Sequence, residues 1–392
     1  MDSFDYLIPT KILFGSGKLS RLATEKLPGK KALIVLSQGQ SMKKNGYLER
    51  VQNFLRQNDT ESIIFDKILP NPIHEHVMEG AALAKQESCD FILGLGGGSS
   101  IDSAKSIAVM AVNPGDYWDY IHGGSGGGKP LQNKPLPVVA ITTTAGTGTE
   151  ADPWTVVTRG NEKIGFGVIP DTMPVLSIVD PELMTTVPPI LTAYQGFDAL
   201  FHAAEGYIAN MANPMSDIFA LKSISLIFKS LANAVQNGGD LEARSDVALA
   251  NTLAGLVEST SSCTSEHSME HAMSAFHSEL PHGAGLIILS EAYHTFFAEK
   301  APRRYADMAK AAGVDVDALS GSGRAMAFVH ALVHLQKACG VDGLTMSCYG
   351  IKKSDIPALA KNARETMGGL FAADPCPLTQ EDVESIYKKA YK

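Results

Sequence analysis

Five residues between positions 198 and 282 have the types and spacing of a metal-binding site. Asp198 is followed four residues later by His202, His267 is followed four residues later by His271, and His282 comes after them. Residues four apart lie one turn apart on the same face of an α-helix, so each pair would present its side chains together. Either pair alone could equally consist of residues that pack in the core or cap a helix. The whole set predicts a mixed oxygen and nitrogen site for a divalent cation such as Fe²⁺ or Zn²⁺, and an open coordination position would make it catalytic.

Two further residues near this set are weaker candidates. His277 does not share the helical face of His267 and His271, so we expect it at the surface or behind the ligands. Cys263 is expected to contribute to packing. The five cysteines are scattered and include no C-x-x-C pair, so a cysteine-based zinc site is not predicted and the thiols are expected to stay reduced.

The composition limits the classes of function. A chain of 392 residues exceeds the size at which a single core stops growing, so two domains are expected. The net charge is −9 and no long basic run is present, which argues against a nucleic acid partner. No stretch is predicted to span a bilayer, and the first residues lack the pattern of a signal peptide. We therefore expect a cytoplasmic protein without a membrane partner.

The elements that must position these residues fall into two groups. Residues 1–185 alternate apolar β-like runs with helical stretches, a pattern typical of a parallel sheet with helices on both faces. Residues 186–392 instead carry long helical patterns, which predict an all-helical second domain. The strands are predicted at 31–36, 62–65, 91–95 and 136–141, and the helices at 47–57, 74–88, 214–235, 243–275, 300–311 and 321–339.

Two glycine-containing loops follow predicted strands. The segment 96–105 reads Gly-Gly-Gly-Ser-Ser-Ile-Asp-Ser-Ala-Lys and opens a predicted helix, where free backbone N–H groups and the helix dipole favour a phosphate. A tight strand-to-helix turn is the alternative, because the segment matches neither G-x-G-x-x-G nor a Walker loop. The segment 142–150 is rich in threonine, and it would form either a ligand-lining loop or a hydrogen-bonded turn.

Taken in order, these stretches resemble the iron-containing (group III) alcohol dehydrogenase family over nearly the whole chain. Each piece alone is unspecific, whereas the ordered set is not. The segments that carry the resemblance are 13–17 (Leu-Phe-Gly-Ser-Gly), 70–72 (Pro-Asn-Pro), 96–99 with Asp102 and Lys105, 143–148 with Glu150, 180–181 (Asp-Pro), 191–193 (Leu-Thr-Ala), 196–202 with Glu205, and the histidine-rich segment that ends at Pro281-His282-Gly283.

The resemblance implies a dehydroquinate synthase-like fold with an N-terminal dinucleotide-binding α/β domain, residues 1–185, and an all-helical metal-binding domain, residues 186–392. It implies that Asp198, His202, His267 and His282 bind the metal, and that His271 passes a proton or contacts substrate. Because the stretch from His267 to His282 is one residue longer than the family's common spacing, His271 is an alternative third imidazole. The residues expected to bind the cofactor are Ser37, Ser41, Gly97, Gly98, Ser99, Asp102, Thr143, Thr144, Thr147 and Lys163, with Asp102 also expected in catalysis.

The family commonly ends the strand at 31–36 with an aspartate that binds the ribose 2′-OH of NAD. Here residues 37–44 read Ser-Gln-Gly-Gln-Ser-Met-Lys-Lys, without a carboxylate to repel a 2′-phosphate. Ser37, Ser41, Lys43 and Lys44 could bind that phosphate instead. NADP(H) is therefore favoured over NAD(H), although paired lysines are often only solvated.

The implied reaction is reversible hydride transfer between a primary alcohol or aldehyde and nicotinamide, with Fe²⁺ favoured and Zn²⁺ possible. A homodimer or larger homo-oligomer is expected. The alternatives are a glycerol dehydrogenase-like polyol enzyme with zinc, a dehydroquinate synthase-like lyase, and a nucleotide-binding protein without catalysis. Residues 245–300 offer little of the Lys or Arg that the lyase needs, and the intact ligand set argues against the non-catalytic protein.

Overall fold

The structure is a computed structural model that describes residues 3–392. The chain divides into an α/β unit, residues 7–159 and 164–186, and a helical unit of residues 3–6, 160–163 and 187–392. The main segment of the helical unit starts at residue 187, and the predicted domain boundary between residues 185 and 186 stays a prediction. The short segments 3–6 and 160–163 group with the helical unit, although both precede that boundary.

The α/β unit is built on a six-stranded parallel sheet with the order β1-β8-β5-β4-β2-β3. Its central strands are apolar because helices cover both faces, so every residue of β4 and β5 is buried. A separate two-stranded sheet pairs β6 with β7. The strands are β1 (Lys11–Phe14), β2 (Lys31–Ser37), β3 (Glu61–Ile68), β4 (Phe91–Gly96), β5 (Val138–Thr142), β6 (Thr155–Arg159), β7 (Glu162–Phe166) and β8 (Leu176–Val179).

Four α-helices belong to the α/β unit: α1 (Ser41–Lys44), α2 (Tyr47–Gln57), α3 (His74–Gln86) and α4 (Gly98–Met110). The core of the unit joins Val51 and Leu55 of α2 to strand residues such as Ile34 and Leu93. Helix α4 is buried along almost its whole length, which fits its position directly after the central strand β4. The four strands and two helices predicted for this unit are present.

The helical unit contains ten α-helices among the described residues. They are α5 (Pro189–Ile208), α6 (Pro214–Gln236), α7 (Leu241–Thr260), α8 (Ser265–Phe276), α9 (His282–Ala298), α10 (Pro302–Ala311), α11 (Gly321–Ala338), α12 (Ile356–Thr366), α13 (Gly368–Ala372) and α14 (Gln380–Ala390). Together with the parallel sheet, they confirm the predicted fold class of an α/β domain followed by an all-helical domain.

The prediction of one continuous helix over residues 243–275 is wrong. The chain leaves the helix between Thr260 and Ser265, and two of the four residues between them bond to helix α5. The Ser261 hydroxyl donates to the carbonyl of Gly206 at 2.8 Å, and the Thr264 N–H donates to Glu205 at 2.8 Å. Serine and threonine readily make such bonds at the expense of helical ones. The break ends α7 and starts α8 on a new axis.

Helix α6 bears on the expectation that no stretch spans a bilayer. Its 23 residues are long and apolar enough to cross a membrane by length and composition alone. Half of its most apolar window is buried inside the protein, however, because α6 packs against α5 and α7. A core helix of a globular unit passes the same test, so α6 is weak support for a membrane span.

Candidate functional site

Helices α5, α8 and α9 position the predicted metal ligands. Asp198 and His202 lie one turn apart on α5, and both side chains are buried, with 4% and 5% exposed. His267 and His271 lie one turn apart on α8 and are similarly buried. His282 is the first residue of α9 and follows its N-cap, Pro281. The spacing on α5 and α8 therefore produces the shared faces that the sequence predicts.

The four predicted ligands converge on one carboxylate oxygen. Oδ1 of Asp198 lies 3.6 Å from Nδ1 of His202, 3.6 Å from Nε2 of His267 and 3.4 Å from Nε2 of His282. One donor atom each from Asp198, His267 and His282 falls within 4.8 Å of the other two. His271 groups instead with Glu270 and His282. The structure thus places His267, rather than His271, beside Asp198.

Two carboxylates behind the cluster orient its imidazoles. Nδ1 of His267 bonds to Oε1 of Glu205, and Nδ1 of His282 bonds to Oε2 of Glu270. Ionised carboxylates only accept hydrogen bonds, so both Nδ1 atoms carry a hydrogen, and both Nε2 atoms face Asp198, where they can hold either a proton or a metal ion. This is the arrangement by which carboxylates orient metal-binding histidines in proteins.

The electrostatics of the cluster favour a positive charge at its centre. His202 and His282 outweigh the effect of burial and hold the pKa of Asp198 well below its ordinary value. Burial lowers the pKa of His202 to about 4, which leaves that imidazole neutral and able to bind a metal. Burial also opposes protonation of His267, but Glu205 and other neighbours hold its pKa well above the ordinary value. Either a proton or a metal ion could provide the positive charge that the cluster favours.

The donor set fits a divalent metal on a direct structural criterion. Oδ1 of Asp198 and Nε2 of His267 are buried, and neither makes a hydrogen bond to any residue in the range 3–392. Buried polar atoms without partners are costly, and two acceptors 3.6 Å apart repel one another unless a cation lies between them. Imidazole nitrogens and a carboxylate oxygen suit Fe²⁺ and Zn²⁺ alike.

His271 and Lys163 lie at the edge of the cluster. Burial, reinforced by the positive charge of Lys163, holds the pKa of His271 well below its ordinary value. Nδ1 of His271 lies 2.9 Å from the sulfur of Met367. The Lys163 side chain is buried, and its Nζ donates to Oγ of Ser274 at 2.9 Å and to Glu270 at 3.3 Å. Lys163, predicted to bind the cofactor, is therefore engaged with the cluster in this structure.

Besides Glu205, three residues at the cluster received no ligand or positioning role from the sequence. Glu270 was missed, although a carboxylate between two histidines on a buried helix is an available signal. Glu258 of α7 was also missed, and its Oε2 lies 3.6 Å from Nε2 of His202. Cys263, expected to serve in packing, has its sulfur within 4.8 Å of nitrogen atoms of both His202 and His267. Glu258 lies near the end of α7, and Cys263 lies in the break between α7 and α8.

The two glycine-containing loops of the α/β unit contact each other closely. A Cβ added at Gly97 would lie 2.9 Å from Oγ1 of Thr144, and one at Gly98 would lie 2.4 Å from Cγ2 of Thr147. Glycine is therefore required at both positions by the neighbouring threonines themselves. The Thr143 N–H donates to the carbonyl of Gly96 at 2.9 Å. Helix α4 begins at Gly98, so its N-terminal N–H groups lie at these loops.

Ser99 and Asp102, also predicted to bind the cofactor, are engaged within the α/β unit. The Ser99 hydroxyl donates to the carbonyl of Pro70. The Asp102 carboxylate accepts from Oγ1 of Thr149 at 2.7 Å and from the Val156 N–H at 3.0 Å. Burial raises the pKa of Asp102 to about 6. These contacts fasten the threonine-rich loop to α4, and the catalytic and cofactor-binding roles of Asp102 stay predictions.

The segment predicted to bind a 2′-phosphate has an acidic neighbour that the sequence did not reveal. Ser37 ends β2, and Ser41 begins α1. Lys43 of α1 makes an ion pair of 2.6 Å with Asp66 of β3. The absence of a carboxylate within residues 37–44 therefore does not make the surroundings free of negative charge, since Asp66 comes from the adjacent strand.

Comparison with known proteins identifies the family. The sequence profile of iron-containing alcohol dehydrogenases matches residues 9–181, and the profile of the family's C-terminal domain matches residues 192–391. The chain is 33% identical over 391 residues to a 1,3-propanediol dehydrogenase of Klebsiella pneumoniae, covering 99% of each protein. It is 36% identical over 389 residues to an NAD-dependent methanol dehydrogenase of Bacillus methanolicus, covering 98% of this chain and 99% of the relative.

Structural comparison agrees with the sequence profiles. An archaeal halo-thermophilic alcohol dehydrogenase from a Red Sea brine pool superposes with a TM-score of 0.93 at 34% identity, and 99% of each chain is covered. The buried carboxylate and histidine cluster offers a donor set that suits a divalent metal. The chain therefore belongs to the iron-containing alcohol dehydrogenase family and is a metal-dependent oxidoreductase that acts on alcohols and aldehydes with a nicotinamide cofactor.

Proposed function

We propose that the chain catalyses reversible hydride transfer between a small primary alcohol or its aldehyde and NADP(H), with Fe²⁺ held by Asp198, His202, His267 and His282. The observation that carries this proposal is the approach of three imidazole nitrogens to Oδ1 of Asp198, at 3.4 to 3.6 Å. Bound iron supplies Lewis acidity that polarises the alcohol or aldehyde oxygen, and the nicotinamide supplies or accepts the hydride.

The chain's own residues hold the ligands in position and handle the proton. Glu205 and Glu270 orient His267 and His282 through their Nδ1 hydrogens. His271 is the candidate for moving a proton. A thioether is a weak acceptor only, so Nδ1 of His271 carries the hydrogen that faces Met367. Its Nε2 then retains a lone pair, and burial keeps the imidazole neutral and weakly basic, so a proton that it accepts would be passed on readily.

Zinc with a polyol substrate is the second candidate, and Cys263 is the observation that favours it. A thiol within 4.8 Å of two histidine nitrogens provides a soft ligand, and thiolates favour Zn²⁺ over Fe²⁺. Burial holds the pKa of the Cys263 thiol well above its ordinary value, so the thiol is protonated without a metal. This protonation, together with membership of an iron-containing family, favours iron.

The preference for NADP(H) rests on residues 37–44. Ser37, Ser41 and Lys44 offer hydroxyl donors and a positive charge to a 2′-phosphate, whereas the charge of Lys43 is compensated by Asp66. The methanol dehydrogenase relative is NAD-dependent, so the preference draws no support from that relative and needs its own test.

The deciding experiment removes and restores the metal. The protein is purified without oxygen, treated with a chelator and assayed for NADPH and NADH oxidation with short aldehydes before and after addition of Fe²⁺ or Zn²⁺. We expect activity to disappear with the metal and to return with Fe²⁺. Asp198→Ala should neither retain metal nor recover activity, whereas Asp317→Ala, at a side chain that is 78% exposed, should match the wild type. Full activity in metal-free protein would refute the proposal.

The cofactor preference is tested at Ser37. A carboxylate introduced by Ser37→Asp would repel a 2′-phosphate and accept from a ribose hydroxyl. We expect the ratio of kcat/KM values for NADPH and NADH to fall by about 10-fold, equivalent to about 1.4 kcal/mol. An unaltered ratio would remove the 2′-phosphate argument.

We also propose a cytoplasmic location and a homodimer or larger assembly. All five cysteines are free thiols in the structure, as a reducing compartment requires. Light scattering of the purified protein tests the assembly, which a monomeric mass would contradict.

A further inference from the structure

Lys163 is buried at the edge of the histidine cluster in a manner that binding a nucleotide does not explain. Its side chain is only 6% exposed, and its Nζ lies 3.4 Å from Nδ1 of His282, 119 residues away in sequence. The same Nζ donates to Oγ of Ser274 and to Oε2 of Glu270, at 2.9 Å and 3.3 Å. A buried lysine needs a partner of opposite charge, and Glu270 is that partner.

Glu270 connects the lysine to the cluster. It is fully buried on α8, between His267 and His271, and its Oε2 accepts from both Nζ of Lys163 and Nδ1 of His282. Its other oxygen makes no hydrogen bond within the described range 3–392. One carboxylate oxygen therefore holds the imidazole on one side and the ammonium group on the other.

The equivalent carboxylate on the other side of the cluster is anchored differently. Glu205 bonds to Nδ1 of His267, and its Oε2 accepts from the backbone N–H and hydroxyl of Thr264 at 2.8 Å and 2.9 Å. Glu205 is thus fixed by neutral donors that belong to the start of α8. Glu270 is instead held by the charged side chain of Lys163 on strand β7, with a further hydrogen bond from Ser274.

We propose that Lys163 is a positioning residue of the metal site, which acts through Glu270 to hold Nε2 of His282 toward Asp198 in protein that contains no nucleotide. This inference rests on the proposed role of His282 as a metal ligand. The Lys163 charge compensates the buried Glu270 carboxylate and fixes its direction, and Glu270 in turn fixes the imidazole. Without Lys163, the Glu270 carboxylate would rotate or lose its hydrogen bond to His282, and the His282 imidazole would become mobile.

The direction of the effect separates this role from simple repulsion. A positive charge close to a cation site weakens metal binding by Coulomb repulsion alone, so removing it would strengthen binding. A positioning role predicts the opposite, since loss of the partner that orients a ligand typically lowers metal affinity by about 10- to 100-fold. Loss of repulsion would raise the metal affinity and loss of positioning would lower it, so one affinity measurement distinguishes the two roles.

The test measures Co²⁺ affinity by competition with a chelator in nucleotide-free protein, and records the visible spectrum of bound cobalt as a readout of ligand geometry. Lys163→Met and Glu270→Gln should each weaken Co²⁺ binding by about 10- to 100-fold and alter the spectrum. The double variant should lose no more than the stronger single variant, because both residues act through one imidazole. Lys361→Met, at a lysine that is 69% exposed in the same unit, should be unaffected.

Each outcome has a defined meaning. Unchanged or tighter Co²⁺ binding in Lys163→Met would overturn the inference. If that variant does not fold, the double variant, which removes both buried charges, takes its place, and wild-type affinity there would be equally contradictory. Asp198→Ala separates the two levels of argument, because it must lose Co²⁺ if the proposed metal site is right. Wild-type Co²⁺ affinity in Asp198→Ala would reject the proposed metal site itself.

Discussion

The histidine cluster of the helical unit and the glycine-containing loops of the α/β unit are built in opposite ways. The cluster is an arrangement of buried charged and polar side chains, in which carboxylates such as Glu205 and Glu270 fix the imidazoles. The loops are defined by missing side chains, because Gly97 and Gly98 have no room for a Cβ beside Thr144 and Thr147. The geometry of the cluster therefore depends on hydrogen-bonded and charged partners, whereas that of the loops depends on the absence of side-chain volume.

This difference indicates how each site fails. A cluster fixed by partners should lose its ligand when a neighbouring charge is changed, even though every metal-binding atom remains. A loop defined by space should tolerate changes of charge nearby and fail when volume is added. The two sites should also fail separately, because their supporting contacts lie within different units.

The largest effect should come from Glu205→Gln. This change keeps the shape of the side chain but removes the charge that orients His267, so we expect Co²⁺ affinity to fall by about 10- to 100-fold. Nucleotide affinity, followed by the fluorescence of NADPH, should stay unchanged. A parallel loss of nucleotide affinity would show that the two sites are not independent.

Gly98→Val should produce the converse result. The added Cβ would lie 2.4 Å from Cγ2 of Thr147, so the threonine-rich loop must shift. We expect nucleotide binding to weaken by about 10-fold, equivalent to about 1.4 kcal/mol, with Co²⁺ affinity retained. Gly343→Val is the matched control, since a Cβ there would meet no heavy atom within 4 Å. Equal nucleotide affinities in the two variants would reject the phosphate-binding role of this loop.

The last prediction concerns stability and extends the comparison to a carboxylate outside the cluster. Burial raises the pKa of Asp374 to about 7, whereas an aspartate in the unfolded chain ionises near pH 4. The folded state therefore loses stability as pH rises from about 4 to about 7, by at most about 4 kcal/mol. Asp374→Asn cannot ionise, and its amide oxygen can still accept from the Ser265 and Tyr293 hydroxyls, at 3.0 Å and 3.2 Å.

The measurement is the change in Tm between about pH 5 and about pH 8. This interval covers most of the pH range over which the ionisation of Asp374 should reduce stability. The wild type should lose more thermal stability over that interval than Asp374→Asn does. Asp317→Asn, at an exposed position, should behave as the wild type. Identical pH dependence in all three proteins would show that Asp374 ionises at an ordinary pH.

Local periodicity explains what could be predicted. The spacing of Asp198 and His202 is set within one helix, and the buried strand β4 is a continuous apolar run. Such patterns reflect contacts between near neighbours in sequence, so the parallel sheet, the helical second domain and the pairs on α5 and α8 follow from the chain alone.

Contacts between distant segments could not be predicted in the same way. Lys43 pairs with Asp66 of an adjacent strand, and Lys163 reaches Glu270 across 107 residues. Glu258 of α7 approaches His202 of α5 through the packing of these two helices. These pairs join residues far apart in sequence, so neither the helical nor the strand periodicity of the sequence predicts them.

The sequence by itself determined which residues could bind a metal and on which helical faces they lie. Only the tertiary structure decided that Asp198 meets His267 and His282, and that Glu205 and Glu270 turn those imidazoles toward it. The physical reason is the range of the forces involved. Helical spacing follows from backbone hydrogen bonds between neighbouring turns, whereas burying charged groups together depends on how whole helices pack, which brings partners from different helices into one dry interior.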